Sequence, residues 1–229
     1  MAAPDETVTT PESSPDERTT TLPSLTRLDA PGTARGLVLL LHGGKANSTV
    51  PVDGRSASWL RLAALQRAIT PGAHEAGVST WLLRYRERGW NAASPVADAR
   101  WALEQVRREA GDVPVVLLGH SMGGRTAVHV ADDPAVAGLV ALAPWWSAAD
   151  PVRTLAGKHV RAAHGRTDKI TSYRMTEAYV ARAAGVAASA SLTDMGRVGH
   201  YLLRRAGAWN SFALDSSLGL LDECGVAKD

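Results

Sequence analysis

The hexapeptide Gly119-His120-Ser121-Met122-Gly123-Gly124 constrains this chain more than any other segment, because of its flanks. A short apolar run, Val113 to Leu118, leads into it, and Arg125-Thr126-Ala127-Val128-His129-Val130 follows with the character of a helix. Strand, G-x-S-x-G and helix in direct succession form a turn so tight that its central serine takes strained backbone angles. Gly119 and Gly123 remove the Cβ atoms that would otherwise collide with neighbours. The serine hydroxyl then stands above the end of a sheet, over the positive end of the following helix. Ser121 is therefore the leading candidate for a nucleophile.

The rest of the chain supplies a sheet for that turn. Leu25 to Leu28 reads as a short edge strand, and Leu37 to Leu41, bounded by Gly36 and Gly43, as a strand covered on both faces. A helix is expected over Ser58 to Ile69, a strand over Val78 to Leu83, a loop over Arg84 to Asn91 and a helix over Pro95 to Glu109. Beyond the elbow helix, Ser121 to Ala131, come a strand over Ala137 to Ala143 and a short helix around Asp150 to Ala156. A strand over His159 to Ala163, a helix over Ser172 to Ala184 and a strand over Val186 to Leu192 follow, and a long helix begins at Tyr201. This alternation predicts an α/β fold with a mainly parallel central sheet and helices on both faces. His42, Ser121, Asp168 and His200 all follow strands, so all four are expected at the edge where such sheets bind ligands.

Four segments, in order, resemble the α/β-hydrolase superfamily. They are the elbow, the strand and turn Leu37-Val38-Leu39-Leu40-Leu41-His42-Gly43-Gly44, the strand end Val160 to Asp168, and Gly199-His200-Tyr201-Leu202. The resemblance spans roughly residues 35 to 205 and implies a Ser-acid-His order. It implies His200 as general base toward Ser121 and Asp168 as the acid that fixes the imidazole tautomer. Asp150, after the preceding strand, and Asp194, close to His200 in sequence, remain competitors for the acid. Oxyanion donors are expected from the backbone N–H of Met122 and of Gly44, with Lys45 as second choice for the latter. His42, His120 and His164 are expected to support the site through hydrogen bonds.

The interval between Ala143 and Asp168 is too short for a cap domain, so a minimal cap or none is expected. Trp145 and Trp146 either wall the pocket or pack beneath it, and the polar stretch Lys45 to Ser56 is a further candidate wall. Arg84, Arg86 and Arg88 read as a solvated loop or as recruiters of an anionic substrate.

Bulk properties narrow the remaining choices. A length of 229 residues suits one α/β domain, assigned to residues 25–229 after a disordered tail over 1–24 rich in Thr, Pro, Ser, Asp and Glu. A net charge of +2 gives no reason to expect nucleic acid, and no apolar stretch is long enough to span a bilayer. The single cysteine, Cys224, excludes an intramolecular disulfide, and no metal-binding signature or phosphate-loop spacing appears. The N-terminal stretch lacks the basic and apolar regions of a secretory signal, which predicts a cytoplasmic protein. The expectation is thus a serine hydrolase needing no cofactor or metal, with a small-molecule ester or thioester as partner and neither nucleic acid nor membrane. Oligomeric state is not legible. A C–C bond hydrolase, a lyase or a non-catalytic ligand-binding protein on the same scaffold stays open as an alternative.

Overall fold

Leu37 to Leu41 offers water no polar side chain, and it lies in a strand without an exposed residue, β2 (Gly36–Leu41). The structure, a computed structural model, describes residues 22–224. Most of the tail expected over 1–24 lies outside the described residues, and Ser24 already belongs to strand β1 (Ser24–Leu28). The further strands are β3 (Val78–Arg84), β4 (Val115–His120), β5 (Val136–Leu142), β6 (His159–His164) and β7 (Ser189–Asp194). They form one sheet of order β1-β3-β2-β4-β5-β6-β7, in which β1 pairs antiparallel with β3 and every other pairing is parallel.

Side chains alternate across a strand, so β2 feeds two cores. Leu37, Leu39 and Leu41 pack with the apolar faces of α2 (Ser94–Ala110), α3 (Met122–Val130) and α4 (Tyr173–Ala183). Val38 and Leu40 enter the opposite core with α1 (Ala57–Glu75) and α5 (Ala206–Glu223). Each fully buried leucine contributes about 1.5–3 kcal/mol relative to leaving it exposed. Parallel pairing carries a direct consequence: the carboxyl ends of β2, β4, β6 and β7 share one edge.

Three expected elements differ in their bounds by three residues or more. The first helix continues past Ile69 through Pro71 to Glu75. Proline deprives only the Arg67 carbonyl of its helical partner, and Arg67 lies on an exposed face open to water. The last strand begins at Ser189 rather than Val186, because the Val186 and Ala187 amides bond back to Ala183 and close the end of α4. The last helix begins at Ala206 rather than Tyr201, since Leu202 (φ 61°) and Arg205 (φ 60°) adopt left-handed backbone incompatible with a helix. Between β5 and β6 lie loop and one short helical turn, Arg153–Leu155, in place of the helix expected over Asp150 to Ala156; no cap domain is inserted there.

Candidate active site

Ser121 caps the N-terminus of α3 with φ 55° and ψ −117°. Such a backbone costs a non-glycine residue on the order of 1–3 kcal/mol, and the surrounding packing must hold it. The closeness of that packing is visible at Gly123, where a Cβ would lie 1.9 Å from the Leu41 carbonyl oxygen. The elbow therefore presses directly against the end of β2.

Three side chains meet above the sheet edge. His200 Nε2 lies 3.0 Å from Ser121 Oγ, and His200 Nδ1 lies 2.8 Å from Asp168 Oδ2. A carboxylate accepts only, so Nδ1 carries the proton and Nε2 is left to accept from the serine hydroxyl. Asp168 is held from every side. Its Oδ1 accepts from the Ile170 and Thr171 amides at 2.7 and 2.9 Å. Its Oδ2 accepts from the Thr171 hydroxyl at 2.9 Å and faces His164 Nε2 at 3.2 Å. Burial alone would raise the Asp168 carboxyl, but the hydrogen bonds from His164, His200 and the two amides outweigh it and hold it far below the usual carboxylate range. The acid loop approaches the histidine loop so closely that a Cβ on Gly165 would lie 2.2 Å from the Val198 carbonyl oxygen.

The turn after β2 completes the site. The His42 ring is buried, with Nδ1 2.6 Å from the Gly43 carbonyl and Nε2 3.4 Å from the Tyr85 amide. Burial lowers its pKa to about 4, so it is neutral and orders the turn through its Nδ1–H. Among the described residues the Gly44 amide has no acceptor, and the Met122 amide, first in its helix, has none within the helix. The Lys45 amide donates to the Arg88 carbonyl at 2.7 Å, which removes it as an oxyanion donor. His120 donates from Nε2 to the His200 carbonyl at 3.0 Å and so fixes that loop from beneath. Burial first, then the neighbouring His200 and Arg61, lower the His120 pKa to about 3.

The cleft beside Ser121, about 290 Å³, is walled by Gly44, Lys45, Ser56, Arg88, Ile170 and His200 on its several sides. Ser58 and Arg61 of α1 and Tyr201 also line it, and nothing in the sequence pattern marked them. Of the polar stretch Lys45 to Ser56 only the two ends, Lys45 and Ser56, line the cleft; the stretch is tied to the 85–91 loop by Arg88 N to Val50 O (3.0 Å) and Trp90 N to Lys45 O (2.8 Å). Neither tryptophan lines the cleft. Trp146 is buried beneath, donating to the Gly124 carbonyl at 2.9 Å, and Trp145 stacks under the Arg125 guanidinium. Arg84 bonds Ser24, and Arg86 pairs with Asp98. Arg88, paired with Asp53, is the one of the three that borders the cleft.

The competitors for the acid are engaged elsewhere. Asp150 accepts from Arg125 Nε at 2.8 Å, the Ser147 amide at 2.7 Å and its hydroxyl at 2.9 Å, and faces His129 Nε2 at 3.0 Å. Asp194 pairs with Arg166 and caps the Gly196 amide. Cys224 is exposed beside Ala137, at the opposite end of the strands.

The fold is the one seen in solved α/β serine hydrolases. A serine hydrolase homologue from Coxiella burnetii superposes with a TM-score of 0.66 at 17% identity, over 85% of this chain and 91% of that one. A thermophilic esterase from the Planctomycetes species Thermogutta terrifontis gives 0.64 at 15% identity, over 91% and 90%. A Xanthomonas campestris protein described as an α/β serine hydrolase without lid gives 0.56 at 17% identity, over 89% and 94%. The family model described as serine aminopeptidase, S33, matches residues 86–166, which hold the elbow and β4 to β6 but neither Asp168 nor His200. No curated protein matches the chain in sequence.

Proposed function

We propose that this protein is a serine hydrolase that cleaves a small ester or thioester through an acyl-enzyme. The observation that carries the reading is the unbroken hydrogen-bonded chain from Ser121 through His200 to Asp168, opening on a cleft bounded by free amide donors. Ser121 Oγ attacks the carbonyl carbon as its proton passes to His200 Nε2. The negative charge formed on the carbonyl oxygen is held by the Met122 and Gly44 amides. Collapse expels the alcohol or thiol, which takes the proton from His200, and leaves the acyl group on Ser121. Water then attacks with His200 as base, releasing the acid and restoring the serine. Asp168 keeps Nδ1 protonated throughout and stabilises the imidazolium. These residues supply nucleophile, base and electrostatic stabilisation from the chain itself, and the lidless cleft suits a small substrate entering from solvent.

The partial match to the serine aminopeptidase model raises amide cleavage next to a free amino terminus. That reaction calls for a carboxylate to receive the substrate ammonium. The cleft lining carries Lys45, Arg61 and Arg88 and, among the described residues, no carboxylate, which favours an ester or thioester. Hydrolysis of short 4-nitrophenyl esters by the wild type and by Ser121→Ala tests the reading. Turnover that disappears in the variant supports it, and turnover that survives in folded variant overturns it.

A further inference from the structure

The least satisfied charge in the cleft belongs to Arg61. It projects from α1, lines the same cleft as Ser121, and among the described residues meets neither a carboxylate nor any hydrogen-bond acceptor. Its Nε is shut away from solvent without a partner, and its guanidinium carbon sits 4.8 Å from the centre of the Tyr201 ring. A cation–π contact offsets only part of the loss of hydration, because an aromatic face supplies no lone pairs to five N–H groups. Other partly buried arginines of the chain are matched: Arg125 by Asp150, Arg86 by Asp98 and Arg35 by Asp222. Arg61 is half-buried, and its Nε–H, cut off from water, has no acceptor, so a bound group that supplies one is favoured.

The surroundings say which charge that group bears. Lys45, exposed at the cleft mouth, has no ion pair among the described residues, and Arg88 shares its charge with Asp53. No carboxylate lies in the lining, and the Asp168 carboxylate sits behind His200, outside it. A lining that holds three cations, one of them paired with Asp53, and no carboxylate favours negative ligands. Beyond Arg61 the surface continues as an apolar groove of about 400 Å³ along Leu60, Ala64, Leu65, Leu202 and Leu203, with Arg61 and Tyr201 common to both. The guanidinium thus stands at the junction between the reactive serine and an apolar channel.

Resting on the ester-hydrolase reading above, we infer that the substrate is an anionic ester or thioester, carrying a carboxylate or phosphate that Arg61 receives while Ser121 attacks its carbonyl. Arg61 is then the residue that sets charge preference, with Lys45 as a secondary contributor at the entrance. The anion sits on the acyl or on the alcohol portion, and two substrate pairs separate these. The acyl pair is 4-nitrophenyl hydrogen glutarate against 4-nitrophenyl hexanoate. The alcohol pair is 4-acetoxybenzoate against its methyl ester.

The readout is the ratio of kcat/KM for the anionic over the neutral member. In one pair the wild type favours the anion by about tenfold or more, as expected for a charge-assisted hydrogen bond. Added salt lowers that ratio. Arg61→Met keeps the aliphatic stem against Tyr201 while removing the charge, and it collapses the ratio about tenfold. Arg61→Lys restores part of it, which a purely structural role for Arg61 would not produce. A ratio near one in both pairs, with neutral esters still cleaved in a Ser121-dependent manner, overturns the charge assignment alone. A ratio unmoved by Arg61→Met does the same. Absence of turnover of every ester by folded wild type removes the hydrolase reading and this inference with it.

Discussion

Two buried carboxylates follow neighbouring strands at the same edge of the sheet, each within hydrogen-bond distance of a histidine, and they are built for different ends. Asp168, after β6, and Asp150, after β5, have side chains 0% and 1% exposed. Both carboxyls sit below their usual range, Asp150 at about 2, because hydrogen bonds overcome the burial that would raise them. The partners differ. Asp150 is bonded by Arg125, a permanent cation that cancels its charge, and its histidine, His129, stacks against Trp90 rather than leading to a nucleophile. Asp168 is bonded by no arginine. It receives two amides, a hydroxyl and two imidazoles, so in the proposed reaction its charge is available to an imidazolium forming on His200. The lesson is that burial and a histidine partner do not identify a working acid. What identifies it is whether the charge is already cancelled and where the far nitrogen of the histidine points.

Substitution should separate the two sites cleanly. Asp168→Asn preserves shape but lets His200 adopt the wrong tautomer, and kcat for short esters is expected to fall about 10⁴-fold. A loss smaller than tenfold would mean that Asp168 does not fix the tautomer. Asp150→Asn leaves the Arg125 charge buried without its counter-ion and should cost about 3–5 kcal/mol of stability. That corresponds to a melting temperature lower by roughly 6–20 °C in a domain of this size. Its kcat below the melting transition should stay within a few-fold of wild type, and a loss comparable to that of Asp168→Asn would erase the distinction.

Much of this contrast was legible in the sequence, for a physical reason. A nucleophile elbow is local: strand, two glycines, serine and helix lie within a few residues of one another, and the strain at Ser121 follows from their order. The His42 turn, the Asp168 loop and the His200 loop follow their strands in the same way, so parallel pairing brought them to one edge. Asp150 stayed a competitor because its disqualifying partner, Arg125, comes from α3 and is placed by packing alone. Arg61 and Tyr201 were missed for the same reason: no periodicity tells that an α1 residue leans over a loop far along the chain. Tyr201 also falls where the sequence predicts a helix, whereas the left-handed Leu202 and Arg205 that turn the chain carry no glycine to announce them.

An effect of pH rather than of substitution concerns the histidines that face carbonyls instead of carboxylates. His42 and His120 stay neutral when folded, with pKa values lowered to about 4 and about 3, and recover an ordinary value near 6.5 on unfolding. Unfolding therefore takes up protons below about pH 6.5, and stability falls as pH drops from there toward 4. Their contribution is complete above that window and amounts to on the order of 3 kcal/mol for His42 across it. The two carboxylates add their own losses only below about pH 4, since their depressed values leave them ionised above it. Denaturant titrations between pH 7 and 4 should show this slope, reduced by about one proton in His120→Gln. A slope unchanged by that substitution would place the acid sensitivity elsewhere.

The most direct test of the central claim is labelling of the folded protein by a fluorophosphonate, followed by intact mass and peptide mapping. The expected result is a single adduct on Ser121, formed far more slowly in His200→Ala and Asp168→Asn and at near wild-type rate in Asp150→Asn. No adduct on folded protein, or labelling indifferent to His200, would contradict the assignment of Ser121 as an activated nucleophile.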